Sequence, residues 1–229
     1  MAKLVAFYSR ADENYFGDSM KYIQTGNTEK AAKMIAEITG AGQIGMAIAR
    51  RMGYGMKIVV GDKKLENAQA VTKILFDAGF DAEPFEIDLS SRDSIRKLIE
   101  KAQGYGEISM LVNAAGVSPS QASIETILKV DLYGTAVLLE EVGKVIKKGG
   151  VGVTISSQSG WRMPALSAEE ARLLATTPTE ELLSLPMLQL EHIKDTLHAY
   201  QIAKRGARIN AIAQKYVCQM SCRTSWNSR

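Results

Sequence analysis

The chain has 229 residues, of which 46% are hydrophobic and 23% charged, and its formal net charge is +3. This length suits one packed α/β domain, and the small net charge argues against nucleic acid or a membrane surface as a partner. No apolar run reaches the ~18 residues needed to cross a bilayer. The first residues predict a strand rather than a secretion signal, so we expect a cytoplasmic protein. The two cysteines, Cys218 and Cys222, lack the further ligands of a metal site.

The first forty residues predict a strand at 3–9, a polar loop at 25–28 and a helix at 29–38. This stretch resembles the first β–loop–α unit of flavodoxin-like proteins, which hold the FMN phosphate at the start of the helix. The polar loop keeps a flavin-binding electron-transfer module as a weaker alternative function. No later segment supplies flavin-stacking loops, so FMN is not expected as a cofactor. We therefore divide the chain into a flavodoxin-like fragment (1–39), a nucleotide-binding domain (40–213) and an irregular tail (214–229).

Strand and helix patterns alternate beyond this fragment. Further strands are predicted at 56–62, 83–89, 108–114, 151–157 and 207–213, and helices at 44–52, 65–78, 91–102, 124–146 and 189–204. Such alternation is typical of an α/β fold with a three-layer, doubly wound, Rossmann-like parallel sheet. Residues 164–188 interrupt it with two helix-start signatures, and we expect a helical excursion over the C-terminal edge of the sheet.

A glycine loop of the form G-x-G-x-x-G precedes the helical run at 46–50. Such a loop lets the backbone approach the pyrophosphate of a dinucleotide at a helix N-terminus. The loop must leave a strand, yet residues 31–38 have helix propensity. Either 34–39 form that strand, or they stay helical and residues 3–9 fill the vacant central position of the sheet. The loop residues are Gly40, Gly42, Gln43, Ile44 and Gly45.

Asp62 lies 22 positions after Gly40, at the end of the next predicted strand. A carboxylate at this place can accept hydrogen bonds from both hydroxyls of the adenosine ribose, which favours NAD. Lys63 and Lys64 follow at once and could bind a 2′-phosphate instead, so NADP is the alternative.

Tyr200 and Lys204 lie four residues apart in a predicted helix and therefore on one face. The ammonium can stabilise a phenolate there, which makes the phenol usable for proton transfer near neutral pH. In this order after a glycine loop, the pair indicates hydride chemistry.

With these motifs the chain resembles the short-chain dehydrogenase/reductase family over about residues 38–213. The resemblance implies that Tyr200 and Lys204 are the acid/base pair and that Ser157 orients the substrate. It places Asp131 where many members carry a catalytic asparagine. It also implies a cofactor contact at Asp88 and Leu89, and an N-A-G-like motif that lines the cofactor site at Asn113, Ala114, Ala115 and Gly116.

The resemblance implies an NAD(P)-dependent oxidoreductase that acts on an alcohol or carbonyl compound. The separation of Ser157 and Tyr200 is 43 positions, longer than the family pattern, so we expect the excursion at 164–188 to act as a lid or substrate wall. A second departure, at the C-terminal end, supports a catalytically impaired dinucleotide-binding protein as the alternative. After Lys204 we predict only a short helical remainder before the strand at 207–213, so the helix that usually joins two subunits of a homo-oligomer is truncated and the sheet is incomplete at the C-terminus.

Overall fold

The computed structural model describes residues 2–7, 13–16, 19–22 and 43–222. The strands are β1 (Ala2–Phe7), β2 (Glu13–Phe16), β3 (Ser19–Tyr22), β4 (Lys57–Asp62), β5 (Asp81–Glu86), β6 (Ile108–Ala114) and β7 (Val151–Thr154). Five of them form the main sheet in the order β5-β4-β1-β6-β7, with every pair parallel. The sequence did not predict the antiparallel pair β2–β3.

The helices are α1 (Gln43–Met52), α2 (Leu65–Asp77), α3 (Arg92–Gln103), α4 (Ile124–Ile127), α5 (Thr135–Val145), α6 (Ser159–Arg162), α7 (Ala168–Thr176) and α8 (Thr196–Cys222). A π-helical segment, Leu128–Gly134, connects α4 to α5. Three short 3₁₀ turns, Thr179–Ser184, Pro186–Leu188 and Leu190–His192, lead from α7 to α8. Among the described residues no helix combines the length and apolarity needed to span a membrane.

Helices cover both faces of the main sheet. Ile58 and Val60 of β4 pack in one apolar cluster with side chains of α1 and α2. Val59, between them, belongs to a second cluster with α3, α5 and α8. Because alternate residues of a strand point to opposite faces, each cluster fills the interface between one face of the sheet and the helices that cover it, as in a three-layer fold. The predicted doubly wound architecture is confirmed.

Strand β1 occupies the centre of the sheet. Ala6 lies opposite Gly61 of β4 on one side and Asn113 of β6 on the other. Of the two alternatives for the central strand, the structure shows the one at 3–9, observed as β1. Residues 34–39, the other candidate, lie outside the described residues, as do the loop at 25–28 and the helix proposed at 29–38. The boundary proposed near residue 39 stays a prediction.

The predicted strand at 207–213 is wrong, since α8 runs without interruption from Thr196 to Cys222. Its apolar and polar residues alternate as in a strand, but the buried positions continue the helical spacing of the preceding turns. Ala199, Ala203, Ala207 and Asn210 are all buried. The helix after Lys204 is therefore not truncated, and the irregular tail predicted from 214 is wrong as far as residue 222.

Other boundaries differ by a few residues. Strand β5 covers 81–86 rather than 83–89, β7 stops at Thr154 rather than at 157, and the helix predicted at 124–146 is broken by the π-helical segment. The helix predicted at 189–204 begins as a 3₁₀ turn and becomes α-helical only at Thr196. Pro84 is tolerated because β5 is an edge strand.

The excursion at 164–188 is helical, as predicted, and packs on α8. It begins with a capping box in which Ser167 and Glu170 bond reciprocally. Leu174 is 1% exposed within the core shared with α8. Glu180 accepts a hydrogen bond from Arg92 of α3 at 2.5 Å, and it accepts another from Tyr133 at 3.1 Å. The excursion is therefore part of the packed domain.

Candidate active site

The predicted site residues gather where the parallel strands of the main sheet end. Asp62 is the last residue of β4, and Asn113 lies next to last in β6. Asp88 and Ser157 follow β5 and β7. Ligands of open α/β sheets bind outside the carboxyl ends of the strands, at the point where the strand order reverses. Here that point lies between β1 and β6.

Asn113 fixes the turn that follows β6. The residue is 1% exposed, its Nδ2 donates to Thr135 Oγ1 at 3.2 Å, and its Oδ1 accepts from the Ala115 N–H at 3.3 Å. Its carbonyl oxygen accepts from the N–H of Ile155 at 2.8 Å. These bonds tie β6 to α5 and to the end of β7, which defines the path of the turn through Gly116.

Gly116 lies directly against two charged side chains. A β-carbon at this residue would lie 2.7 Å from Nζ of Lys204 and 3.1 Å from Oδ1 of Asp131. Any larger residue would therefore displace the ammonium or the carboxylate. The glycine is needed here for close approach rather than for an unusual backbone angle.

Lys204 and Asp131 form a buried ion pair. Lys204 Nζ lies 3.2 Å from Asp131 Oδ2, and the two side chains are 7% and 0% exposed. Asp131 Oδ1 accepts from the N–H of Val117 at 2.8 Å. Burial raises the pKa of the Asp131 carboxyl, while the ammonium of Lys204 and the Val117 N–H act in the opposite direction. The Lys204 ammonium thus contacts one oxygen of the Asp131 carboxylate and the Val117 N–H the other.

The π-helical segment Leu128–Gly134 carries Asp131. Turns of this kind are rare in proteins and occur frequently at functional sites. The sequence predicted an uninterrupted helix here, because the apolar spacing through this stretch does not reveal one wider turn.

Tyr200 and Lys204 lie one turn apart on α8, as the sequence predicted. Lys204 Nζ lies 5.4 Å from the centroid of the Tyr200 ring. An ammonium at this range stabilises the phenolate form. Tyr200 is half-buried, and its hydroxyl makes no hydrogen bond to any other described residue, so it is available to a ligand.

The two serines after β7 have different partners. Ser156 Oγ donates to the backbone oxygen of Lys204 at 2.7 Å, whereas Ser157 Oγ accepts from the Ser159 N–H at 3.1 Å. Ser156 thus fixes the end of β7 against α8, a role that the sequence analysis missed although the doubled serine was visible. Ser157 keeps its own O–H for another acceptor, and no hydrogen bond within the described ranges joins it to Tyr200.

Asp62 is 1% exposed. Its Oδ1 accepts from the Lys64 N–H at 2.9 Å and from Asn67 Nδ2 at 3.2 Å. Its Oδ2 is buried without a hydrogen-bond partner among the residues that the structure describes. Burial raises the pKa of this carboxyl, and the two hydrogen bonds oppose the rise. An unpartnered acceptor at the end of β4 fits a hydroxyl donor.

Asp88 lies two residues after the end of β5, where hydrogen bonds and a lysine fix its side chain. Ser90 donates both its N–H and its O–H to Asp88 Oδ1, at 2.8 and 2.6 Å, and Lys63 Nζ lies 3.4 Å from Oδ2. Burial would raise the pKa of Asp88, but these bonds and the lysine charge hold it below its ordinary value. The neighbouring Leu89 is 6% exposed and packs against Gly134.

The described part of the glycine loop is the first turn of α1, where Gln43, Ile44 and Gly45 lie. Helix α1 contacts β1 and β6, the two strands beside the switch point. A helix N-terminus there is suited to a phosphate group. Gly40 and Gly42 lie outside the described residues.

A cavity of about 650 Å³ lies between the excursion and the first turns of α8. Its apolar wall includes Met163, Leu173 and Met187, and its polar wall includes His192 and His198. The volume is in the range of small-molecule sites. Tyr200 is not among its lining residues, so the cavity lies beside the Tyr200 side chain rather than around it.

The family model for short chain dehydrogenases matches residues 34–169. The chain is 37% identical over 193 residues to short-chain dehydrogenase/reductase bsc3 of Alternaria brassicicola, covering 77% of this chain and 70% of that protein. A metagenomic short-chain oxidoreductase solved in complex with NADP gives a TM-score of 0.51 at 24% identity, over 72% of this chain and 66% of that one. A short chain dehydrogenase/reductase from Burkholderia phymatum solved in complex with NAD gives 0.54 at 17% identity, over 78% and 56%. The chain spans 56% to 70% of the length of these three proteins.

Proposed function

The chain belongs to the short-chain dehydrogenase family of NAD(P)-dependent oxidoreductases, and on that premise we propose that it transfers hydride between a nicotinamide cofactor and an alcohol or carbonyl substrate. The observation that carries the proposal is the position of Lys204. Its buried ammonium lies 5.4 Å from the ring of Tyr200, beside the switch-point edge of the sheet.

Tyr200 acts as the general acid and base. In reduction its hydroxyl donates a proton to the carbonyl oxygen while the carbonyl carbon receives the hydride. In oxidation the phenolate accepts the proton of the alcohol. Lys204 favours the phenolate by its charge, and Ser157 donates its free O–H to the same substrate oxygen. When bound, the nicotinamide supplies or accepts the hydride.

The residues at this edge fit a dinucleotide. The unpartnered Oδ2 of Asp62 would accept from a ribose hydroxyl, and the start of α1 would hold the pyrophosphate. Asp88 and Leu89 would border the adenine, and the turn from Asn113 through Ala114 and Ala115 to Gly116 would line the middle of the cofactor.

We propose NAD as the preferred cofactor and NADP as the alternative. The carboxylate of Asp62 would repel a 2′-phosphate, and Lys63 is already paired with Asp88. The structures in complex with NADP and NAD belong to other proteins, so both cofactors enter the test. FMN is not proposed.

The test has two parts. Titration of the folded protein with NADH and with NADPH, followed by protein fluorescence, measures binding; absorbance of the reduced nicotinamide over a panel of alcohols and ketones then measures turnover. Tyr200→Phe should lower kcat/KM at least about 100-fold, whereas Tyr54→Phe, at a residue 84% exposed, should leave it unchanged. Failure of a folded sample to bind either cofactor would refute the proposal.

Binding without turnover would support the alternative, a dinucleotide-binding protein that lacks catalysis. The long helix α8 removes the truncation that first suggested this alternative. In the described part of the chain, however, the sheet ends at β7. The cytoplasmic location and a homo-oligomeric state stay predictions, which cell fractionation and light scattering would test.

A further inference from the structure

The ammonium of Lys204 has a carboxylate as its nearest charged neighbour. Asp131 Oδ2 lies 3.2 Å away, closer than the Tyr200 ring centroid at 5.4 Å. The side chain of Asp131 is fully buried, and the Val117 N–H fixes its other oxygen. Gly116 leaves just enough room for both charged groups.

We infer that Asp131 is a positioning residue that holds the ammonium of Lys204 and offsets its charge, so that proton transfer at Tyr200 takes place at a higher pH than an unpaired lysine would allow. The inference rests on the proposed function, because it concerns the proton step assigned there to Tyr200.

The physical reason is a balance of charges at short range. A positive charge within about 6 Å stabilises a phenolate, and a negative charge beside it opposes that effect. Burial makes both contributions larger than at the surface, because little water screens them. An asparagine in place of Asp131 would keep an oxygen for the Val117 N–H. It would remove the negative charge and put an amide NH2 in place of the Oδ2 that faces the ammonium.

The other charged groups of α8 near the pair are turned away from it. Arg205 donates to the backbone oxygens of Gly160 and Pro164, at 2.7 and 3.0 Å. The guanidinium of Arg208 lies 4.3 Å from the Trp161 ring centroid. The turn at 115–118 and the stretch 151–157 contain no charged residue.

The elements packed against α8 carry charges of their own, but the ion pair of Lys204 within the described part of the chain is with Asp131. Those of α5 pair with Arg92 or with each other, and those of α7 pair within that helix or cap it. Tyr133 of the π-helical segment donates to Glu180. The charged residues in question are Glu125 on α4, Lys129 in the π-helical segment, Glu140, Glu141 and Lys144 on α5, Arg162 on α6, and Glu169, Glu170 and Arg172 on α7.

The test is the pH profile of kcat/KM for alcohol oxidation by the wild type and by Asp131→Asn. The rate should rise with pH as Tyr200 loses its proton. We expect the midpoint of this rise to move down by about one pH unit in Asp131→Asn. The two profiles should converge at low pH, where the carboxyl of Asp131 is itself protonated. An unchanged or higher midpoint would overturn the inference.

Two further variants separate charge from structure. Asp131→Glu retains the charge and should keep the wild-type midpoint even where kcat falls. Glu141→Gln also removes a buried carboxylate, 8% exposed, but in the Arg92 cluster on α5; it should leave the midpoint unchanged. A similar downward shift in Glu141→Gln would show a general charge effect and contradict the specific role of Asp131.

A second measurement, on the wild type, tests the inference even if the Asp131→Asn variant does not fold. Carbon-13 NMR of the wild type, with the Asp131 carboxyl assigned by comparison with Asp131→Glu, reports its ionisation directly. The inference requires an ionised carboxylate at pH 7 to 8, and a protonated one would refute it. This readout needs no turnover, so it separates failure of the inference from failure of the proposed function.

Discussion

Substitution of Gly134 by alanine puts helix propensity and packing in direct opposition. Gly134 has φ −58° and ψ −39°, ordinary helical angles that alanine adopts readily. Propensity alone therefore predicts a gain of about 1 kcal/mol. However, the new methyl group would collide with the carbonyl oxygen of Leu89 and lie 3.0 Å from the carbonyl carbon and 3.1 Å from the β-carbon of the same residue.

We expect packing to win. Two of the three nearest atoms belong to the backbone, which cannot rotate aside as a side chain can. We therefore place the cost in the upper part of the range for overpacked cores, at about 2 to 3 kcal/mol. With the propensity gain subtracted, Gly134→Ala should lower the free energy of unfolding by about 1 to 2 kcal/mol. For a urea slope of about 2 kcal/mol per M, the midpoint should fall by about 0.5 to 1 M at unchanged slope.

Gly104→Ala is the matched control. Gly104 has the same φ of −58°, but it is exposed, and the new methyl group would meet only carbonyl oxygens at 3.3 and 3.7 Å. This variant should be neutral or stabilised by a few tenths of a kcal/mol. A Gly134→Ala protein as stable as the wild type would refute the packing argument, because the backbone of Leu89 would then yield at no cost.

Three further predictions concern the site and the excursion. Gly116→Ala should displace the ammonium of Lys204, which lies 2.7 Å from the new β-carbon. Steady-state kinetics should show kcat/KM reduced about tenfold or more. Urea titration should show that the free energy of unfolding falls by less than about 1 kcal/mol, because a side chain rather than the backbone gives way. Burial raises the pKa of the Asp62 carboxyl in the folded protein. The wild type should therefore lose stability as the pH rises above the ordinary pKa of an aspartate, because the folded protein must then ionise a carboxyl that burial keeps protonated. Asp62→Asn should therefore unfold at higher urea than the wild type at pH 7, with the gap closing toward pH 4; a gap independent of pH would contradict this. Leu174→Ala, at a position 1% exposed in α7, should cost about 2 to 5 kcal/mol in thermal or urea unfolding, and a loss below 1 kcal/mol would mean that the excursion does not share the core.

The order of elements and the edge that holds the site could be predicted because they depend on local patterns. Apolar strands alternating with amphipathic helices require a parallel sheet, and the carboxyl ends of such strands meet at one edge. Asp62, Asn113, Tyr200 and Lys204 therefore came to the expected places.

The end of α8 could not be predicted from its own residues. Ala207 to Ile212 alternate in polarity as a half-buried strand does, and only the packing partner decides between the two periods. Gly206 fits closely against Leu132 of the π-helical segment, so the helix continues across a glycine that local propensity would treat as a stop.

The ion pair of Lys204 with Asp131 was also beyond the sequence. The two residues are 73 positions apart, and their contact depends on a π-helical turn and on the close approach at Gly116. The sequence identified both residues as members of the site, but it could not say that one neutralises the other.

The central position of β1 affects how the polypeptide acquires its sheet during synthesis. Ala2 pairs with Lys57 on one side and with Ile108 on the other, so β1 is bonded only to strands made much later. At about 5 to 20 residues per second, the second neighbour leaves the ribosome on the order of 5 to 20 s after β1. Both hydrogen-bonding edges of β1 lack their native neighbours until β4 emerges, and the edge that pairs with β6 lacks its neighbour throughout that interval. Such edges invite pairing with other nascent chains. Chaperone occupancy of the nascent chain should therefore persist until β6 has emerged.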